Sequence, residues 1–200
     1  MQRATWFCVD IECSGPVPGL YDMISLGCVP VYGERGSDGP AHRVGEERFY
    51  VEILPTAPRV DAGAMAVNGL DLDALKKHGT PMQEALEGLT AFVHAQRVGG
   101  SEAVFVGHNA PFDWSFVAYS YHSAGLTNPF GYKALDTKAL SMGVLDLHWL
   151  DGNKETLAEL LPLPEVESEK VHRADYDAWY QAHILKHLLD RMGTAREVRW

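Results

Sequence analysis

Basic residues are in short supply: 17 Lys and Arg stand against 27 Asp and Glu, a formal net charge of −10. Such a chain is not built to coat duplex nucleic acid by bulk charge, which needs a basic face. Cysteine is also scarce. Cys8, Cys13 and Cys28 form no Cys-x-x-Cys pair and no even set, which fits a reducing compartment and argues against a structural zinc site. No stretch approaches the ~20 apolar residues of a membrane span, and no long apolar run follows Arg3 as a signal peptide would require. A cytoplasmic location is expected. The sequence has no Gly-rich phosphate loop and no Gly-x-Ser-x-Gly elbow. His183 and His187 stand four apart, but no His-Glu-x-x-His motif frames them, so surface residues rather than a metal pair are expected there.

What is present suits a globular protein. A chain of 200 residues, 46% hydrophobic and 22% charged, can bury one sizeable core. One domain over residues 1–200 is expected, with a core of about 5–192 and a short tail, 193–200. The excess of carboxylates has two readings. It keeps the protein dispersed, or part of it is committed to metal ions, which then supply the positive charge a phosphate needs.

The order of elements points to a mixed sheet with helices packed on it. Thr5 to Glu12 reads as a strand, Met23 to Tyr32 as a second, and Arg48 to Ile53 as a third. Between the last two, Gly33 to Gly45 is rich in Gly, Ser, Asp and Pro and reads as a hairpin loop. Helical stretches follow around Asp71–His78 and Met82–Arg97. Ala103 to Gly107 is a short strand, Pro111 to Ala124 a helix, and Ala134 to Asp136 a short strand feeding a helix from Thr137. Glu155 to Leu161 is a short helix. The last, about Ala174 to Met192, is expected to stop at Gly193.

Three patterns carry chemistry. Asp10 and Glu12 are two apart near the end of the first strand, so they share a face with Cα atoms roughly 7 Å apart. Two carboxylates on an apolar strand are costly unless cations offset them. Alone, the pair is equally what a strand ending at Val9 would leave in solvent. In Gly107-His108-Asn109-Ala110-Pro111-Phe112-Asp113, Pro111 suits the first turn of a helix and places Asp113 where the helix dipole favours a carboxylate. That too is a common arrangement, and His108 reads as a hydrogen-bonding turn residue rather than a ligand. Finally, His172 and Asp177 are five apart and would diverge by ~140° on a continuous helix, so they converge only if His172 precedes the helix. Asp175 lies ~200° from Asp177 and cannot face the same way. Ala174, Ala178 and Ala182 form a small-residue stripe able to press close to a sheet. Trp114, Tyr176 and Trp179 could stack on bases, although packing is the plainer reading.

The three patterns, in this order and at these separations, resemble the DEDDh exonuclease family, the group that includes the proofreading subunit of bacterial replicative polymerase. Weaker echoes are Pro55 followed by Val67-Asn68-Gly69-Leu70, then Leu135-Asp136-Thr137 and Thr156-Leu157-Ala158-Glu159-Leu160. The chain departs from the pattern in carrying Cys13-Ser14-Gly15 where relatives often have Thr-Thr-Gly. The resemblance implies an α/β, ribonuclease-H-like fold with a mixed five-stranded sheet flanked by helices. It implies a 3′–5′ exonuclease that releases nucleoside 5′-monophosphates from the 3′ ends of single-stranded RNA or DNA with two divalent ions, Mg²⁺ or Mn²⁺. By that likeness Asp10 bridges both metals, Glu12 and Asp177 bind one of them, Asp113 acts largely through water, and His172 is the general base. Cys13, Ser14, Asn68, Asn109 and Phe112 are candidate substrate contacts. The oligomeric state is left open, a homodimer included. Two other readings compete: a phosphodiesterase for very short oligonucleotides or dinucleotides, and a non-catalytic nucleic-acid-binding module. The intact set of four acids and one histidine speaks against the latter.

Overall fold

A computed structural model describes residues 4–36 and 39–196. Six strands, β1 (Ala4–Cys13), β2 (Met23–Gly36), β3 (Gly39–Val44), β4 (Phe49–Glu52), β5 (Glu102–Gly107) and β6 (Ala134–Asp136), form one mixed sheet. Its order is β3-β2-β1-β5-β6, with β4 also paired to β2. β1 runs antiparallel to β2 and parallel to β5, which in turn is parallel to β6. β3 and β4 share the β2 edge that β1 leaves open, pairing with Val31–Gly36 and Ser25–Cys28 respectively. The expected five strands are therefore six, laid in five positions across the sheet.

The difference arises at Gly33 to Gly45, where a hairpin loop is expected from composition. β2 and β3 instead continue as a paired ribbon, with Tyr32 opposite Arg43 and Glu34 opposite Ala41. Arg43 supplies the cross-strand contacts that offset the glycines: its Nε donates to Glu34 Oε1 at 2.5 Å, and its guanidinium lies 4.6 Å from the Tyr32 ring centroid. The tip of this hairpin lies outside the described residues.

Alternation along β1 organises the core. Phe7, Val9, Ile11 and Cys13 face a cluster formed with α3 (Met82–Gln96) and α4 (Pro111–Ser123), through Leu86, Leu89, Phe116 and Tyr121. Trp6 and Cys8 face the other way, onto Ala178, Ala182 and Leu185 of α7 (Ala174–Arg196). Strand periodicity therefore puts Asp10 and Glu12 on the α7 side. The alanine stripe of α7 is fully buried at Ala174, Ala178 and Ala182. α6 (Lys154–Leu160) docks on another side of α7, where Leu157 meets Tyr180, Ile184 and Leu188. α7 runs through Gly193 to Arg196 rather than stopping there, because one glycine weakens a helix by only ~1 kcal/mol.

Two short helices, α1 (Ala62–Asn68) and α2 (Leu72–His78), precede α3, and α5 (Thr137–Leu145) follows β6. The first of these is not evident from hydrophobic periodicity. It is bounded by Asp61, whose side chain accepts from the Ala64 amide, and by Gly69 in the left-handed region at φ 65°. Among the described residues no helix is long and apolar enough to cross a membrane.

Candidate active site

β1, β5 and β6 run parallel, so their C-terminal ends open on the same side of the sheet, where open α/β sheets build their sites. β5 ends at Gly107, and the turn His108–Ala110 feeds α4, with Pro111 in its first turn. The turn is tight: a Cβ on Gly107 would lie 2.9 Å from Ala110 Cα. Asn109 takes the left-handed conformation, φ 66°, and its amide donates to Asp136 Oδ1 at 2.9 Å. This geometry brings Asp113, only 6% exposed, back onto the end of β1, where its Oδ1 accepts from the Ile11 amide at 3.2 Å.

The third contribution comes from the start of α7. His172 precedes the helix, as the five-residue spacing to Asp177 requires, and holds a left-handed backbone at φ 65°. A non-glycine residue in that region is strained and persists only where its surroundings fix it. Here its own amide donates to Asp177 Oδ2 at 2.7 Å. Its ring is 48% exposed, with Nδ1 3.9 Å from Glu12 Oε1. Glu12, His172 and Asp177 offer ligand atoms that all lie within 4.8 Å of one another. Asp175 turns elsewhere, pairing with Arg173 Nε at 2.7 Å.

Asp10, Glu12, Asp113, His172 and Asp177 thus line one pocket of about 370 Å³, together with His108, Asn109, Phe112, Lys154 and Glu155. A groove of about 430 Å³ lies elsewhere, between Pro18, Tyr21, Pro58 and Tyr119. Its carboxylate, Asp22, is bound by the Thr56 and Ala57 amides at 2.6 and 2.5 Å, and among the described residues no second carboxylate lines it.

Crowding raises the proton affinity of these acids. Burial, with Asp113 and Asp177 nearby, holds Asp10 well above the ordinary carboxylate range, while Lys154 and Gln181 oppose the shift. Burial and the Asp10 charge push Glu12 up to about 8. Burial pushes Asp113 up to about 7, against the Ile11 amide. The cluster is a set of oxygen donors that bear charge only at a cost without a cation. That chemistry suits a hard divalent ion.

Two residues of the site carry no spacing signal in the sequence. Lys154, at the start of α6, donates to Asp177 Oδ1 at 2.8 Å. Gln181, one turn beyond Asp177 on α7, donates to Asp10 Oδ1 at 2.5 Å, while its own Oε1 is buried without a partner. Of the candidate substrate contacts, Asn109 and Phe112 lie in the pocket wall. Cys13, Ser14 and Asn68 are buried and do not line it: Asn68 donates to the Cys13 carbonyl at 3.1 Å, and Ser14 Oγ accepts from the Asp22 amide at 2.9 Å.

Several side residues are also placed. His108 Nδ1 lies 3.0 Å from Thr137 Oγ1, and burial lowers its pKa to about 4. Trp114 packs edge-on to Phe105 at 5.0 Å, and Tyr176 lies 5.3 Å from Trp179. His183 and His187 are half-buried rather than surface residues. Trp179 covers His183 at 4.7 Å, and burial lowers that histidine to about 4.

Comparison with known proteins agrees with this geometry. No protein-family model matches the sequence. The 3′–5′ DNA exonuclease Cap18 of Escherichia coli is 31% identical over 190 residues, covering 95% of this chain and 94% of that protein. Ribonuclease T of Salmonella typhi is 33% identical over 147 residues, covering 72% of this chain and 66% of that protein. Among solved structures, the nuclease domain of 3′hExo, a DEDDh family member bound to rAMP, superposes with a TM-score of 0.70 at 11% identity, covering 93% of this chain and 92% of that one. A zinc-bound E. coli ExoI–ssDNA complex gives 0.68 at 16% identity, over 95% of this chain and 41% of that one. These two likenesses speak to the ribonuclease-H-like fold, whereas Cap18 is similar along nearly the whole of both sequences. On that similarity the chain belongs to the DEDDh family of 3′–5′ exonucleases.

Proposed function

We propose that this exonuclease acts on the 3′ ends of single-stranded nucleic acid with two divalent ions, Mg²⁺ or Mn²⁺. In this reading Asp10, Glu12, Asp113 and Asp177 hold the ions, His172 is the general base, and residues 1–200 act as one exonuclease domain. The observation that carries it is the meeting of four carboxylates from β1, α4 and α7 in one pocket beside a half-exposed histidine. When bound, two such ions activate a water and stabilise the leaving oxygen of an in-line displacement.

The chain's own residues do the rest. Gln181 fixes Asp10 from behind, and the Ile11 amide fixes Asp113, so two ligands are oriented before any ion arrives. His172 stands at the mouth, where a neutral imidazole can take the proton of the attacking water. Phe112, 37% exposed and tilted against Phe116 with ring centroids 5.4 Å apart, offers a face to a terminal base. The product is a nucleoside 5′-monophosphate. A preference for single strands follows from the shortage of basic residues to grip or open a duplex.

Digestion of 5′-labelled single-stranded RNA, single-stranded DNA and dinucleotides, each with Mg²⁺, Mn²⁺ or a chelator, tests this reading. A ladder shortening from the 3′ end, lost in chelator and lost in Asp10→Ala, is expected. Hydrolysis that survives the chelator overturns the metal mechanism, and cleavage confined to dinucleotides moves the substrate to the shortest oligomers.

A further inference from the structure

Lys154 is the first residue of α6, a helix start at which a positive charge opposes the helix dipole. It is exposed over 30% of its side chain, and its ammonium reaches into the carboxylate pocket to Asp177 Oδ1 at 2.8 Å. The other oxygen of Asp177 already accepts the His172 amide at 2.7 Å. Both oxygens of this carboxylate are therefore engaged by the protein itself. The same ammonium acts on Asp10 and Asp113, so its charge is shared over acids from three elements. Asn153 caps α6 by accepting from the Thr156 amide at 2.8 Å, and Leu157 anchors the helix to α7. Lys154 is thus delivered to the pocket from a fixed base on a flexible stem, whose compact, strongly hydrated head can be displaced into solvent.

We propose that Lys154 is an internal counter-cation that an incoming divalent ion must displace from Asp177. It holds the carboxylates together in the metal-free protein and weakens metal affinity by competing for the same oxygens. This rests on the reading of the four carboxylates as metal ligands. Loss of the ammonium leaves the pocket one unit more negative, which favours a dication and disfavours the metal-free fold.

The test is titration calorimetry of Mn²⁺ into chelator-stripped protein for the unmodified chain, Lys154→Met and Lys154→Arg, with melting temperatures in chelator and in excess Mn²⁺. Lys154→Met should bind Mn²⁺ at least about tenfold more tightly, the scale of one neighbouring charge largely screened by water. It should also melt lower in chelator and gain more on adding metal. Lys154→Arg, which keeps the charge, should not show this tightening. If Lys154→Met does not fold in chelator, Lys154→Gln retains a hydrogen-bond donor to Asp177 without the charge and carries the same titration. Unmodified protein that binds Mn²⁺ while the neutral variants bind it no more tightly overturns the competition alone. Failure of every protein to bind Mn²⁺ overturns the metal-site reading itself, and the proposal with it.

Discussion

Gly27 lies directly against Ala174: a Cβ on the glycine would overlap the carbonyl carbon and oxygen of Ala174. Gly27 is also the β2 partner of Asp10. The first turn of α7, and with it His172 and Asp177, is thereby seated beside the β1 carboxylates. Gly27→Ala should push this turn away from the sheet. Its overlap is with backbone rather than a flexible side chain, so a loss of about 1–3 kcal/mol is expected, the usual scale of an overpacked core. Chemical denaturation gives the stability, and Mn²⁺ titration should show weakened binding in the folded variant. A variant with unchanged stability and affinity would mean that the close approach does not position the site.

The raised carboxyls make the metal-free protein sensitive to pH. Glu12 sits at about 8 and Asp113 at about 7, with Asp10 well above its ordinary range. Each binds more protons in the native state than in the unfolded chain between its two pKa values, so stability falls as pH rises through that window. In chelator, the melting temperature should therefore be higher at pH 6 than at pH 8.5. Saturating Mn²⁺ should remove most of the difference, because the ion replaces the protons as counter-charge. A chelated protein that melts equally well or better at pH 8.5 contradicts this account of the cluster.

His172 and Asp177 are joined by a hydrogen bond but should fail differently. His172→Ala should cut turnover by about 10²–10⁴-fold, the usual worth of a positioned base, and leave Mn²⁺ binding largely intact. Asp177→Ala should weaken metal binding as well as rate. Single-turnover rates across pH, paired with Mn²⁺ calorimetry, separate the two roles. The closeness of Glu12, His172 and Asp177 makes the contrast sharp: if His172→Ala loses the metal as completely as Asp177→Ala, the histidine is a ligand rather than a base.

Much of this site is legible in the sequence because its residues lie on short periodic elements. Strand parity sends Asp10 and Glu12 to one face of β1, and helix geometry lets His172 meet Asp177 only from a position before α7; the three patterns mark a site together, not singly. Pro111 marks the start of α4, and so the turn that carries Asp113. Elsewhere, tertiary contacts decide. Gly33 to Gly45 has the composition of a turn, yet pairing through Tyr32, Glu34 and Arg43 keeps its flanks, residues 33–36 and 39–44, in the sheet. α1 is too short for a hydrophobic period, and its caps define it. Lys154 and Gln181 lie far in sequence from Asp10 and belong to no motif, so only the fold reveals that they touch the carboxylates.

The central claim, that the four carboxylates hold metal, is tested most directly by anomalous diffraction from crystals grown with Mn²⁺ and a nucleoside 5′-monophosphate. The account predicts two Mn²⁺ peaks ~3.5–4 Å apart in the pocket, contacted by Asp10, Glu12 and Asp177, with the Lys154 ammonium withdrawn from Asp177. Crystals that bind the nucleotide but show no anomalous peak among these carboxylates, or show one only at a distant histidine such as His183, would contradict it.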